Sequence, residues 1–309
     1  MTELLQRTLD GLLDGSAYAL VGLGLTLTFG TLKRLNLAYG AGAMLAAYVG
    51  AWLHQRHGVP AALVLLAVVA VATALGLYVE WLCFGGSSGS VPNAIRGAGP
   101  VAGADGREVV ALASSFAVWM QLEQLAVNLL PRHLNPFPSL AVQSEWAVGA
   151  LALRPDRLLL ALLAVVLTLG LARWLRASRG GLAWRAMADE RTAAHLVGIA
   201  VARVQRIAFA AACALSGLAA FAVLSLEGQV TPMFGMWVLL KGLVAAMLGG
   251  LGSITGVLWG GLLLGVVEAH AQALFGAVGR EFATQALLFL VLVIPGALGG
   301  LRRGRSHAG

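Results

Sequence analysis

The sequence predicts an all-α fold, a polytopic transmembrane bundle of about eight or nine spans that also carries one short cytoplasmic helix. Three observations predict it. Hydrophobic residues make up 59% of the chain and charged residues only 11%, where a soluble domain runs at roughly half and a quarter. Mean hydropathy is correspondingly high, at +0.84. The apolar residues fall into successive runs of about the 20 residues a helix needs to cross hydrocarbon, and the short alternating segments of a membrane barrel are absent. The chain reads as a single transmembrane domain over 1–309.

The net charge of +7 does not point to nucleic acid, because the basic residues are strung between apolar runs instead of forming a patch with interleaved aromatics. Cys83 and Cys213 lie in or at the end of apolar segments without CxxC or Cys/His spacing, so packed, reduced thiols are expected and no metal or cofactor. Glu3, Arg7, Asp10 and Asp14 precede the first run without a basic n-region or a cleavage site, which argues against a removable signal peptide.

In chain order, the first run covers 11–32 and is punctuated by Gly11, Gly15, Gly22, Gly24 and Gly30, spacing that lets helix backbones approach closely in lipid. Lys33 and Arg34 mark a cytoplasmic-side turn before a second run that ends near Trp52. Asn36 and Tyr39 enter that run as polar groups near membrane depth, where they need partners or a cavity. His54 and His57 share a helical spacing, but with no third ligand nearby they read as a polar connection. A third run spans 60–84. Residues 85–108 form a Gly/Ser/Pro-rich linker whose glycines are not followed by Gly-Lys-Ser/Thr, so the chain has no Walker A motif.

The fourth run, 109–130, contains Glu123, Gln124 and Asn128 towards its end, which either fray among headgroups or face a polar interior. Pro131, Pro136 and Pro138 make 131–157 a loop, with an interfacial segment around Trp146. The fifth span, 158–174, leads into the densest block of charge. Seven arginines lie between 173 and 206 against Asp189 and Glu190 alone, which places that block in the cytoplasm. Within it Ala186, Glu190, Ala193/Ala194 and Val197 share one helical face over 184–198, and Gly198 supplies a stop. Either a helix docked into another protein or a solvated loop fits that pattern.

The sixth span, 207–226, ends at a polar turn through Thr231 and Pro232. The seventh begins near Trp237 and carries Lys241, whose long stem is expected to snorkel to the interface, ahead of the alternative of a place in an ion or substrate pathway. Gly252, Gly256 and Gly260 form one four-residue stripe, and Gly261 with Gly265 another, which marks helix packing and not chemistry. The stretch 237–276 is expected to cross twice, with its break near 249–253. Glu268 and His270 sit near the end of the second crossing. A final span, 282–300, is closed by Arg302, Arg303 and Arg305, which place the C-terminus in the cytoplasm. Nine spans put the N-terminus outside and eight put it inside.

In this order the motifs resemble the permease subunits of branched-chain amino-acid ABC importers, the LivH-type family. The resemblance rests on Gly11 to Gly30, on Asn36-Leu37-Ala38-Tyr39-Gly40, on Ala188-Asp189-Glu190 with Ala193, Ala194, Gly198 and Ile199, and on Thr231-Pro232 through Lys241, Gly249–Ser253 and Glu268. Tyr39 stands where the family usually has His, the 85–108 loop is longer and less apolar, and Ile294-Pro295-Gly296 replaces an Arg-Pro-x-Gly pattern.

The resemblance implies an inner-membrane, multi-pass subunit that works with a second related permease, two cytoplasmic ABC ATPases and an extracytoplasmic solute-binding protein. It implies import of a small solute, branched-chain amino acids or alternatively urea, short-chain amides or aromatic acids, and no enzymatic step of its own. It also makes 175–206 a coupling loop, with Asp189, Glu190, Ala193, Ala194 and Gly198 facing the ATPase. Asn36, Tyr39, Lys241 and Glu268 become the candidates for the translocation pathway. A stand-alone secondary transporter or channel is the competing class. It needs an intramembrane relay of ionisable residues, and only Lys241, Glu268 and Glu123 offer themselves.

Overall fold

The computed structural model describes residues 2–84, 103–130, 135–139, 146–148 and 151–305. Its helices are α1 (Thr2–Leu32), α2 (Ala38–His57), α3 (Ala61–Val79, continued by one π-helical turn, Glu80–Phe84), α4 (Gly103–Leu129), α5 (Pro155–Ala177), α6 (Arg179–Asp189), α7 (Arg191–Leu196), α8 (Val201–Glu227), α9 (Phe234–Gly249) and α10 (Ile254–Arg305). Two short antiparallel ladders accompany them. Strand β1 (Asn135–Pro136) pairs with β4 (Gln229–Val230), and β2 (Trp146–Val148) pairs with β3 (Leu151–Leu153).

The chain is the all-α polytopic bundle that its composition predicts. Among the described residues, α1, α3 with its π turn, α4, α5, α8 and α10 are long and apolar enough to cross a membrane. Helix α1 is central, with 83% of its most apolar stretch buried, whereas the figure for α5 is 28%, so α5 lies on the outside of the bundle. Outward-facing Leu66, Leu162 and Phe282 cost nothing in hydrocarbon, where exposure of an apolar side chain carries no hydration penalty. Helices α2 and α9 are shorter or less apolar and lie inside, α2 against α3, α4 and α8 and α9 against α1 and α10, and the two pack on each other.

Small residues set the inner packing. Helix α1 runs antiparallel to the first limb of α10: a Cβ on Gly15 would lie 2.6 Å from the Gly261 carbonyl oxygen, and one on Gly11 would lie 2.8 Å from that of Gly265. Helix α9 packs antiparallel to the same limb, with Gly249 against Gly256 and Ala245 against Gly260. Two glycine faces on one limb thus serve two different helices. Gly252 belongs to neither face. It stands in the turn between α9 and α10 at φ 94°, with open space where a Cβ would be, so the turn's backbone and not close approach accounts for it.

Two elements depart from expectation. Helix α2 does not begin where α1 ends. From the first turn of α2, the Tyr39 hydroxyl donates to the Val21 carbonyl at 3.0 Å and packs on Gly24. Gly24 lies about 12 Å along the axis from Leu32, so α2 starts well inside the bundle. The last span also starts earlier than 282. Gly276, at φ 73° and ψ −163°, folds α10 into a hairpin whose second limb opens with Arg280 and Glu281. Those charges conceal the start of the limb from a hydropathy reading. The segment around Trp146 is the β2–β3 hairpin, and Pro155 opens α5 in the first turn, where its missing N–H costs no hydrogen bond. Helix α4 already begins at 103, and the rest of the predicted linker, 85–102, lies outside the described residues.

Candidate functional site

The basic block folds as a clamp on one end of the bundle. Ser178 caps α6, its Oγ accepting from the Gly181 amide at 2.9 Å. Trp184 and Met187 are buried, and the indole lies so close to Gly30 that a Cβ there would be 2.6 Å from the ring. At the far end of α6, the Lys33 ammonium donates to the Asp189 carbonyl at 2.9 Å and satisfies an orphan acceptor at the negative end of the helix dipole.

The single helix expected over 184–198 is in fact two. At Glu190 the backbone is extended (φ −144°, ψ 109°), and its carboxylate accepts from the Thr192 amide at 3.2 Å to start α7. An N-cap must leave helical dihedrals while its side chain reaches forward, so a residue that does this cannot also continue the helix before it. Ala186 and Ala193 therefore sit on different helices. Ala194 is buried and Ala193 exposed, beside Leu196 (81% exposed) and Val197 (75%). Gly198, at φ 84°, ends α7: its amide bonds the His195 carbonyl and the Ile199 amide the Ala194 carbonyl, both at 3.1 Å, the pairing of a Schellman motif.

A second set of contacts ties α7 inward. The Arg191 guanidinium donates to the Gln205 Oε1 on α8. The other end of that amide, Gln205 Nε2, donates to Glu80 Oε1 at 2.7 Å and to the Phe84 carbonyl at 3.4 Å, both on the π turn that ends α3. Burial pushes the Arg191 pKa below its ordinary value and Arg34 lowers it further, against the pull of Glu80. A cavity of ≈ 570 Å³ opens at the same end between Phe29, Lys33, Arg176, Trp184, Asp189 and Ser253.

Deeper in the bundle, Lys241 does not snorkel. It is 1% exposed, because three partners reach it inside. It donates to Glu268 Oε1 and, at 2.7 Å, to Thr284 Oγ1, and it stands 5.4 Å from the Tyr18 ring centroid. Glu268 accepts in addition from Thr284, from the Tyr18 hydroxyl at 2.6 Å and from Arg280 Nε at 3.2 Å. Arg280 also donates to the Tyr18 oxygen at 2.6 Å and stands 3.8 Å from Asp14, which pairs with Arg157 at 2.9 Å. One buried carboxylate, on the first limb of α10, thus faces two cations and two hydroxyl donors contributed by α1, α9 and the second limb of α10, the paired and hydrogen-bonded state a buried charge requires. Towards the end of the bundle remote from α6, a cavity of ≈ 620 Å³ is lined by Arg7, Asp10, Asp14, Arg157, Glu268 and Arg280.

The four pathway candidates therefore fall in two places. Lys241 and Glu268 are in direct contact. Asn36 and Tyr39 are buried at the start of α2, where Asn36 Oδ1 accepts from the Ala38 amide at 3.1 Å. Glu123 binds the Trp119 indole at 2.8 Å on its own helix, and His54 Nδ1 lies 3.0 Å from the Val59 carbonyl oxygen.

Sequence reasoning missed Tyr18, Arg280, Thr284, Gln205 and Glu80. Counted at about 1.5 Å per residue from Phe234 and Gly276, Lys241, Glu268 and Thr284 stand at similar depths, but those helix ends are set by the fold and were not readable from hydropathy.

The family model described as branched-chain amino acid transport system / permease component matches residues 7–295. The high-affinity branched-chain amino acid transport system permease protein LivH of Escherichia coli (strain K12) is 29% identical over 303 residues, 94% of this chain and 93% of that protein. LivH of Salmonella typhimurium is equally similar, and the permease protein BraD of Pseudomonas aeruginosa is 29% identical over 301 residues, covering the same shares.

Proposed function

Because this chain belongs to the permease family of branched-chain amino acid transport systems, we propose that it is the membrane subunit of an ATP-driven importer of branched-chain amino acids. The observation that carries the reading is the family match across nearly the whole chain. The geometry adds a place for the motor. Helices α6 and α7 are fastened to the bundle through Trp184, Met187 and Ala194 while Ala193, Leu196 and Val197 are left uncovered.

In this reading the α6 end lies in the cytoplasm and α7 seats in a groove of an ATPase subunit, with Asp189 and Gly198 bordering the contact. A second permease, a second ATPase and an extracytoplasmic solute-binding protein complete the assembly. Glu190 contributes by capping α7. Nucleotide-driven closure of the ATPases displaces α6–α7, and the glycine-packed helices rock between two states. Lys241 and Glu268, like Asn36 and Tyr39, hold the flanks of the pathway where charge and backbone polarity need internal partners.

The test is to co-express a tagged chain with its second permease, ATPases and binding protein, purify on the tag, and measure ATP-dependent uptake of labelled leucine in proteoliposomes. ATPases retained by the wild type and shed by Leu196→Glu support the reading. Leucine flux that needs neither ATPase nor ATP would overturn it in favour of a stand-alone carrier.

A further inference from the structure

We infer that Gln205 is a positioning residue for transport, a side chain through which displacement of α7 is passed to two membrane-spanning helices at once. The inference rests on the coupling role given to α6–α7 above. Gln205 is 0% exposed, and its amide is used at both ends: the oxygen accepts from Arg191, the first residue of α7, and the nitrogen donates to Glu80 and the Phe84 carbonyl on the π turn of α3.

The three elements are far apart in sequence, and the geometry between them is directional. Arg191 is a donor only and the Glu80 carboxylate an acceptor only, so a group between them must accept on one side and donate on the other. A neutral amide does both without adding a charge. The π turn is where an extra residue is accommodated in a helix ladder, so its backbone has an alternative α-helical pairing available. Gln205 holds the Phe84 carbonyl of that turn. Moving Arg191 with α7 thus pulls on α8 directly and on the end of α3 through the same amide. Trp184 and Lys33, in contrast, fasten α6 to the end of α1 and make no bond to α3 or α8 among those described.

The experiment uses the assembled transporter in proteoliposomes and reads the ratio of leucine transported to ATP hydrolysed, with ATPase retention measured alongside. Gln205→Leu keeps the packing and removes all three bonds, to Arg191, Glu80 and the Phe84 carbonyl. Expected is a fall in that ratio of about tenfold, the scale of losing one charge-assisted hydrogen bond, with the ATPases still bound. Gln205→Glu sets two carboxylates against each other and is expected to lower the ratio as well. Adding Glu80→Gln reverses the donor and acceptor on the α3 side, leaves Arg191 its acceptor, and is expected to bring the ratio back towards wild type. An unchanged ratio in Gln205→Leu, or loss of uptake that only tracks loss of assembled protein, overturns the relay, as does a double variant no better than Gln205→Glu. If Gln205→Leu does not accumulate, the comparison of Gln205→Glu with the double variant decides alone. A wild-type chain that retains no ATPase defeats the function proposed above, a result distinct from every one of these.

Discussion

Replacing Glu268 with leucine is expected to destabilise the chain more than replacing Lys241 with methionine, although the two are one another's ion-pair partners. Both side chains are 2% exposed, so neither replacement is rescued by water. Without Glu268, the Lys241 ammonium and the Arg280 guanidinium point into one site with no buried anion between them. Lys241 keeps Thr284 and, at 3.5 Å, a Glu281 whose side chain is 60% exposed. Leaving a buried charge uncompensated costs about 3–5 kcal/mol.

Without Lys241, in contrast, Glu268 retains Arg280, Tyr18 and Thr284. Glu268 loses one charge-assisted hydrogen bond, about 1.5–3 kcal/mol, while Thr284 keeps its own bond to the carboxylate. The double variant removes both charges and leaves Arg280 to Tyr18 and Asp14, so it is expected to cost no more than Glu268→Leu alone. Reversible unfolding of the purified chain in mixed detergent micelles, titrated with dodecyl sulfate, measures all three. A Lys241→Met variant at least as unstable as Glu268→Leu, or a double variant equal to the sum of the singles, would refute the asymmetry.

Gly15→Ala is expected to cost about 1–3 kcal/mol by overpacking α1 on the Gly261 carbonyl. Gly170→Ala on α5, where a Cβ meets nothing within 4 Å, is expected to be neutral or to gain up to ~1 kcal/mol of helix propensity, and the same unfolding titration separates them. Glu190→Ala should fray α7 by about 1 kcal/mol while Glu190→Asp keeps the cap, which hydrogen exchange at the Thr192 amide will report. Gly198→Ala, forced to φ 84°, should cost about 1–2 kcal/mol and raise exchange at Ile199. Cys83 and Cys213, both buried, should resist maleimide in the folded chain and label fully once it is unfolded; prompt labelling of Cys213 would contradict its packing against Gly76.

Hydropathy alone located most of the helices, because a bilayer demands the same apolar length wherever a segment lies in the chain. It failed where one segment's environment is made by another. Lys241 read as a snorkelling residue because nothing near it in sequence shows that Glu268 and Thr284 lie opposite. Arg280 and Glu281 hid the start of the second α10 limb for the same reason. Glu190 was legible as a contributor to a helix over 184–198 but not as its break, since a glutamate fits a helix interior and an N-cap alike and only the backbone dihedral tells them apart. Gly256 and Gly260 were legible as packing positions, whereas the partners that divide them from Gly261 and Gly265 were not. Gln205 carried no sequence signal, because a lone amide at the start of a span looks like any headgroup contact.

The pairing of α1 with the first limb of α10 also bears on how the protein is made. Helix α1 leaves the ribosome well before the limb that covers its Gly11 and Gly15, which begins only at Ile254. At about 5–20 residues per second, the intervening chain takes on the order of 10–40 s to synthesise. During that time α1, with its membrane-depth Tyr18 and Asp14, has to be held by the insertion machinery or by the helices that follow it. Any reporter fused upstream of residue 254 therefore tracks a first span that still lacks its main partner, and arrest at that stage is where quality control has its longest opportunity to remove the chain.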